Sequence, residues 1–420
     1  MKENIKSVVV LTAICLVVAV LLAFTNSVTA PIIAANQAAA ANESLLVVMP
    51  DATGFEELTA DLTLPETVNG VYRENSGLGF VMTLNATSDY SGGNPMTFTI
   101  AIDAAGAISA VELTGYYESK DFGAEYPQSY VGQNSTLADV TLVAGCTYSS
   151  VAFKNTIADA FNVLIENNLV VEAQKSEEQL ISEAMPLALP GACDALGNII
   201  ATAIDPVAPA TQAFKAGNGC GYVFVMPSDA GTVVVGVNAF GVAKVVDLEG
   251  NDITASAADV AATASGLLAP LATENLEANL NTATAAVEEG AVITAIEGLA
   301  LENNVIAAFK AETSTGVQYI VISQPYGFGN HGMKMLHVFA EDGSVVVYKS
   351  LGSLILEAEY YSAHQLTDEA AYKNQYIGVT EGTFSDDAAL VAGATVTGNA
   401  VNSSFHSAFE AFNLIKEGVA

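Results

Sequence analysis

The sequence predicts an α+β protein: twisted antiparallel sheets carrying helices, repeated as tandem modules behind a single N-terminal transmembrane helix. Three observations lead there. One unbroken apolar run opens the chain, a hairpin-plus-meander pattern recurs three times after it, and a turn followed by an amphipathic helix is repeated with few changes. At roughly 150 residues per domain, 420 residues hold about three domains. A hydrophobic fraction of 51% excludes a disordered chain. Asp and Glu number 46 against 13 Lys and Arg, giving a net charge of -33 that repels phosphate backbones and excludes a nucleic-acid partner. Four His leave little material for a metal site, and His331, His337, His364 and His406 are read as non-ligands. The four Cys, at 15, 146, 193 and 220, contain no CxxC pair and are too few for a disulfide scaffold.

The first element is the run from Ser7 to Phe24, SVVVLTAICLVVAVLLAF. At 1.5 Å per residue it spans about 27 Å, close to the hydrocarbon thickness of a bilayer. Lys2 and Lys6 precede it and the next basic residue is Arg73. That asymmetry sets the N-terminus in the cytoplasm and the bulk of the chain on the extracellular side of a single-pass protein. Residues 1–32 are therefore the cytoplasmic tip and anchor. The competing reading is a cleaved signal peptide processed near the Ala-rich residues 34–41, but the run is longer than a usual signal core.

Strands come next. VYRENSGLGFVM (71–82), AFKAGNGCGYVFVM (213–226) and AFKAETSTGVQYIVI (308–322) each read as two short strands around a polar, Gly-containing turn. Each is followed by a second apolar run broken by a turn: FTIAIDAAGAISAVEL from Phe98, VVVGVNAFGVAKVVDL from Val233 and MLHVFAEDGSVVVY from Met335. The first and third copies continue in parallel through Tyr116-Tyr117 and Tyr130-Val131-Gly132, against Tyr360-Tyr361 and Tyr376-Ile377-Gly378. Then LVAGCTYSSVAFKNTIADAF (142–161) matches LVAGATVTGNAVNSSFHSAF (390–409) without a gap. A weaker middle counterpart is read at LNTATAAVEEGAV from Leu280, where the glycine has become Thr282. The modules are accordingly 41–170, a degenerate 175–298, and 301–420, with acidic helical connectors such as EAQKSEEQLISEA (172–184) between them.

The repeated turn carries the chemistry. Small residues before a Thr, then apolar residues at Val401, Phe405, Ala408, Phe409 and Phe412, mark a tight turn that opens an amphipathic helix. Glycine admits close backbone approach, and a helix start offers unpaired N–H groups that favour a phosphate. A Thr hydroxyl there can bond a phosphate or carry it as an ester. The plain alternative is an N-cap with no ligand. Recurrence of the turn at Thr147 and Thr395, with matching flanks, weighs against that alternative.

With the anchor leading into TNSVTAPII, then Met49, Pro50 and Phe55–Leu58, the VYRENSGLGFV hairpin and the GAT-type turn, the chain resembles the G subunit of the Rnf complex and the C subunit of the sodium-pumping NADH:quinone reductase. Both are FMN-binding-domain proteins. The resemblance covers Met1 to about Leu164, and again about Asn304 to Ile415. It implies FMN attached covalently by a flavin transferase to the Thr of a D-x-x-[ST]-G-A-T-x-[ST] motif. Carried over, Thr395 is the acceptor in the third module, with Gly393, Ala394 and Thr397 around it. Thr147 is the acceptor in the first, with Gly145, Cys146 and Ser149. Thr284 in the middle module is expected to be empty. The motif is not intact. Ala144 and Ala392 stand where the family prefers Ser or Thr, its Asp falls on Thr141 and Ala389, Cys146 replaces an Ala, and Gly398 replaces a common Ser.

Other residues keep two readings. The tyrosine pairs either stack on an isoalloxazine ring or pack on the sheet, and Glu118 and Lys120 are solvated loop charges or line the polar loop that the family places near its flavin. Cys193 and Cys220 are candidates for a disulfide if they meet in space. No self-contained catalytic constellation is present. The function implied is a membrane-anchored flavoprotein electron carrier, working with the other membrane subunits of an ion-translocating electron-transport complex. The alternatives are a stand-alone extracellular multi-flavin protein, or a flavin-free interaction protein built from decayed repeats.

Overall fold

Alternating apolar residues between Gly-containing turns fold into three five-stranded sheets among the described residues, each an antiparallel meander in chain order. The computed structural model describes residues 15, 16, 18–27, 29, 44–88, 92–143, 145–351, 369–389 and 394–418. Of the expected anchor, residues 7–14 and Val17 lie outside that set, as do residues 34–41, Tyr360-Tyr361, His364 and Gly393. Residues 18–27 are helical, with Val18, Val20, Leu21, Leu22 and Phe24 exposed. Among the described residues no helix is long and apolar enough to cross a membrane. The chain divides into two compact units, Met1–Lys175 and Ser176–Ala420.

In the first unit the sheet comprises β1 (Phe55–Glu57), β2 (Val68–Glu74), β3 (Gly79–Ala86), β4 (Met96–Asp103) and β5 (Ile108–Gly115). Its two faces follow the period of two. Phe80, Met82 and Leu84 of β3 face the Thr147–Glu166 helix, which buries Phe153, Ile157, Ala160, Phe161 and Leu164 against them. Phe98 and Phe153 stack with ring centroids 4.1 Å apart. The opposite face, through Val81 and Ala101, is covered by Leu45, Val48 and Met49 at the helical residues 44–48. The β2–β3 turn is held by Glu74, whose carboxylate accepts from the backbone N–H groups of Thr53, Ser76 and Leu78.

The second unit holds two sheets: β6 (Ala201–Ile204), β7 (Gln212–Ala216), β8 (Gly221–Ser228), β9 (Gly231–Asn238) and β10 (Ala243–Asp247); then β11 (Val292–Ala295), β12 (Val305–Thr313), β13 (Gly316–Ser323), β14 (Met335–Ala340) and β15 (Val345–Ser350). The three hairpins read in the sequence are β2–β3, β7–β8 and β12–β13. The helical stretch expected as a connector is more than that. Glu177–Ala188 starts on a capping box between Ser176 and Gln179 and packs Ile181, Ala184, Met185 and Ala188 onto the β8–β10 sheet. The other face of that sheet, bearing Tyr222, Phe224 and Met226, is covered by the start of the Ala258–Thr284 helix through Ala257 and Ala264. The same helix ends with Ala283 on the far face of the third sheet, against Phe309, Ile320 and Ile322. The near face of the third sheet receives the Thr395–Glu417 helix.

This arrangement corrects the expected middle turn at Leu280. Thr282 and Thr284 lie in the last turn of a 27-residue helix, their hydroxyls donating to the carbonyls of Ala278 and Leu280. That segment closes a helix and leads into β11; it opens nothing. Its counterpart in the first module is the stretch before β1, where residues 44–48 are helical and lie on a sheet face.

Candidate functional site

The site in the first module is built on the start of the Thr147–Glu166 helix. Val143 is tied to that helix by its N–H, which donates to Ser150 Oγ at 3.3 Å, while Ser150 Oγ donates back to the Cys146 carbonyl at 2.9 Å. Gly145 takes φ 79, a conformation that costs a side chain strain, and a Cβ there meets nothing nearer than Lys120 Nζ at 3.9 Å. The turn is thus open on that side and has an ammonium beside it. Cys146 forms the N-cap position at φ -128, ψ 30, with no side-chain capping bond and no acidic residue in the first turn. Thr147, the first helical residue, is half-buried. Ser149 is buried and donates to Glu118 Oε2 at 2.7 Å. Ser88 donates to that same oxygen, and Glu118 Oε1 is buried with no hydrogen-bond partner.

Beneath the turn lies an aromatic floor. Tyr116, Phe122, Tyr126 and Tyr130 run in succession, with ring centroids 4.8 Å, 4.9 Å and 5.4 Å apart. Tyr126 and Tyr130 share a hydroxyl hydrogen bond of 2.7 Å, and Tyr126 also donates to the Ser150 carbonyl. Burial pushes the Tyr116 phenol up to about 12, so it stays neutral. Tyr117 is 58% exposed.

The third module reproduces this frame. Gly132 N–H donates to the carbonyl of Ile108 at the start of β5, and Gly378 N–H donates to the carbonyl of Val345 at the start of β15, both at 2.8 Å. Tyr372 and Tyr376 cross at 82° with centroids 5.6 Å apart, as Tyr126 and Tyr130 cross at 85°. Ala394 occupies the N-cap position at φ -135, ψ 43, again without a side-chain cap or a first-turn acid. Thr395 is exposed, Thr397 is buried, and Gly393 lies outside the described residues. Ala394, Thr395 and Thr397 therefore sit together at one helix start, as Gly145, Cys146, Thr147 and Ser149 do at the other.

The middle module reveals a position the sequence concealed. Ala257 holds the same N-cap conformation, φ -117 and ψ 39, at the start of the helix covering the equivalent sheet face. Ala258 is thus the counterpart of Thr147 and Thr395. It has no hydroxyl, and Asp259 follows it in the first turn. Between β10 and this helix lie only residues 248–257, against 116–146 and 351–394 in the other modules. With Ser256-Ala257-Ala258 in place of a Gly-x-Thr triplet, this start gave no motif to find.

Cys193 and Cys220 are both free thiols, and burial pushes them up to about 11 and about 12. His406 pairs with Asp386 at 2.7 Å, and His337 is enclosed in the third sheet's core. Among the described residues no group of His, Cys, Asp and Glu is arranged to hold a metal ion.

These features suit an FMN phosphate at Thr147: a hydroxyl at an uncapped helix start, an open glycine turn, and a neighbouring ammonium. Residues 1–48 match the RnfG N-terminal region, and residues 90–162 match the FMN-binding domain. The second match includes Thr147; the second compact unit lies outside both matches. No curated protein matches the chain.

Proposed function

For this RnfG/NqrC-like FMN-binding protein, we propose the role of a membrane-anchored electron carrier with FMN esterified through its phosphate to Thr147 and to Thr395. The observation that carries this reading is the uncapped helix start at Thr147, set inside the FMN-binding-domain match. The bound group supplies the redox chemistry. The protein contributes attachment, orientation and local charge. Lys120, beside Gly145, offsets the charge of a phosphate at the turn. The exposed apolar face of residues 18–27 supports immersion of that helix in lipid, with the folded modules outside. The resemblance to the G subunit then implies partnership with the other membrane subunits of an Rnf-type, ion-translocating complex and maturation by a flavin transferase. Recurrence of the frame in the third module favours a second reading, a stand-alone extracellular relay with two flavins in one chain.

The test is flavin fluorescence in a denaturing gel, with intact mass, on the full chain co-expressed with a flavin transferase. Signal that survives denaturation, drops in Thr147→Val and in Thr395→Val, and vanishes in the double variant is the expected result. Absence of any bound flavin, covalent or otherwise, overturns both electron-transfer readings and leaves the flavin-free interaction protein.

A further inference from the structure

Lys334 is half-buried where the third sheet meets a helix. It directly precedes β14 and continues that strand's buried stripe of Leu336 and Val338, its carbonyl accepting from the Leu351 N–H at 2.8 Å. The Ala258–Thr284 helix covers this stripe through Ala283, and Asn279 sits one turn earlier on the same helical face. There Lys334 Nζ donates to Asn279 Oδ1 at 2.6 Å, and Asn279 is only 4% exposed. The chain carries 46 Asp and Glu, yet among the described residues none is paired with this lysine. An ammonium taken from water against a neutral amide is poorly compensated. Burial accordingly pushes the Lys334 amine down, which enriches its neutral form. A neutral lysine amine is a nucleophile, and the oxygen it touches belongs to a carboxamide carbon. Packing of helix on sheet holds the two reactants together, an advantage that a collision in solution lacks.

We propose that Lys334 and Asn279 join in an intramolecular isopeptide bond, a covalent staple between the Ala258–Thr284 helix and the third sheet. Nζ attacks Cγ of Asn279, the Cγ–Nδ2 bond breaks, and a proton from Nζ departs with that nitrogen as ammonia. No oxidant and no cofactor takes part. The product is a neutral amide, so the uncompensated charge leaves the seam. The staple ties residues 55 positions apart in the chain. It is independent of the flavin reading and belongs to a different unit from the Thr147 site.

The test is intact mass and peptide mapping of the full chain, expressed without a flavin transferase so that no flavin adds to the mass. The protein is first incubated at about pH 9, where more of the amine is neutral. The expected result is a mass short of the sequence mass by one ammonia. Tryptic digestion is expected to give a fragment in which the peptide bearing Asn279 is joined to Lys334, with cleavage after Lys334 blocked. Lys334→Arg keeps a donor for Asn279 but has no nucleophilic amine. Asn279→Ala removes the acyl group. Both variants are expected to keep their full sequence mass. A parent of full sequence mass, cleaved by trypsin after Lys334, overturns the proposal. So does an ammonia loss that persists in Lys334→Arg, because it then arises at another amide. The joined fragment is read in the unaltered chain, so the proposal stands or falls there however the variants fold.

Discussion

His337 shows how one enclosed side chain sets a pH response. It lies on β14 with none of its surface exposed, 4.5 Å from the Phe405 ring and 5.2 Å from the Tyr348 ring by centroid. Its Nε2 is 3.3 Å from Ser404 Oγ, which in turn is 2.7 Å from Ser323 Oγ. Burial pushes its pKa down to about 3 from 6.5. Between those values the unfolded chain binds the proton and the folded one does not. Stability of the second unit is therefore full above pH 6.5 and declines as pH falls toward 3, by up to about 1.4 kcal/mol per pH unit. His337→Leu lacks the proton acceptor. Urea midpoints of the full chain at pH 7, 6 and 5 are expected to drop for the parent second-unit transition and to drop markedly less in the variant. Equal declines sink the assignment.

At the scale of elements, close backbone approach decides where the Glu177–Ala188 helix ends. A Cβ on Gly236 of β9 would stand 2.0 Å from the Ala188 carbonyl oxygen, and one on Gly191 would stand 2.0 Å from that of Asn303. Both neighbours are backbone and cannot swing aside. Gly236→Ala is expected to destabilise the second unit by about 3 kcal/mol, measured as a lower urea midpoint with an unchanged slope. A loss below roughly 0.5 kcal/mol means that the helix end can shift freely, which removes the packing argument. This contact also marks where the sequence stops being legible. Hairpins announced themselves because strand alternation and glycine turns are local. The opening strands β1, β6 and β11 are only three or four residues long and carry too few alternations to register. Residues 172–184 read as an acidic helical connector, because the sheet that Ile181, Ala184, Met185 and Ala188 cover is formed by residues downstream. The Thr147 and Thr395 turns were legible because a motif repeats there. The link from Glu118 to Ser149 was not, since it joins a loop to a helix start 31 residues away.

Over the whole molecule, one construction is used three times with one economy. Each sheet lies between a helix that precedes it and a helix that follows it, and Ala258–Thr284 serves as the following helix of the second sheet and the preceding helix of the third. The middle module keeps its helix start without the features that the other two starts share. Ala258 replaces the hydroxyl, Asp259 sets a carboxylate where the other two starts have none, and residues 248–257 replace a loop that elsewhere carries the aromatic floor. A phosphate approaching this helix start meets Asp259 and finds no ribityl or ring contacts to offset it. Restoring the hydroxyl alone should therefore fail. In a chain carrying Thr147→Val and Thr395→Val and co-expressed with a flavin transferase, Ala258→Thr is expected to show no denaturation-resistant flavin fluorescence and no mass increment. If the added Thr acquires flavin, the transferase requires only a hydroxyl at this helix start. The long loops of the first and third modules, and the absence of first-turn acids there, would then have no part in the proposed attachment of flavin.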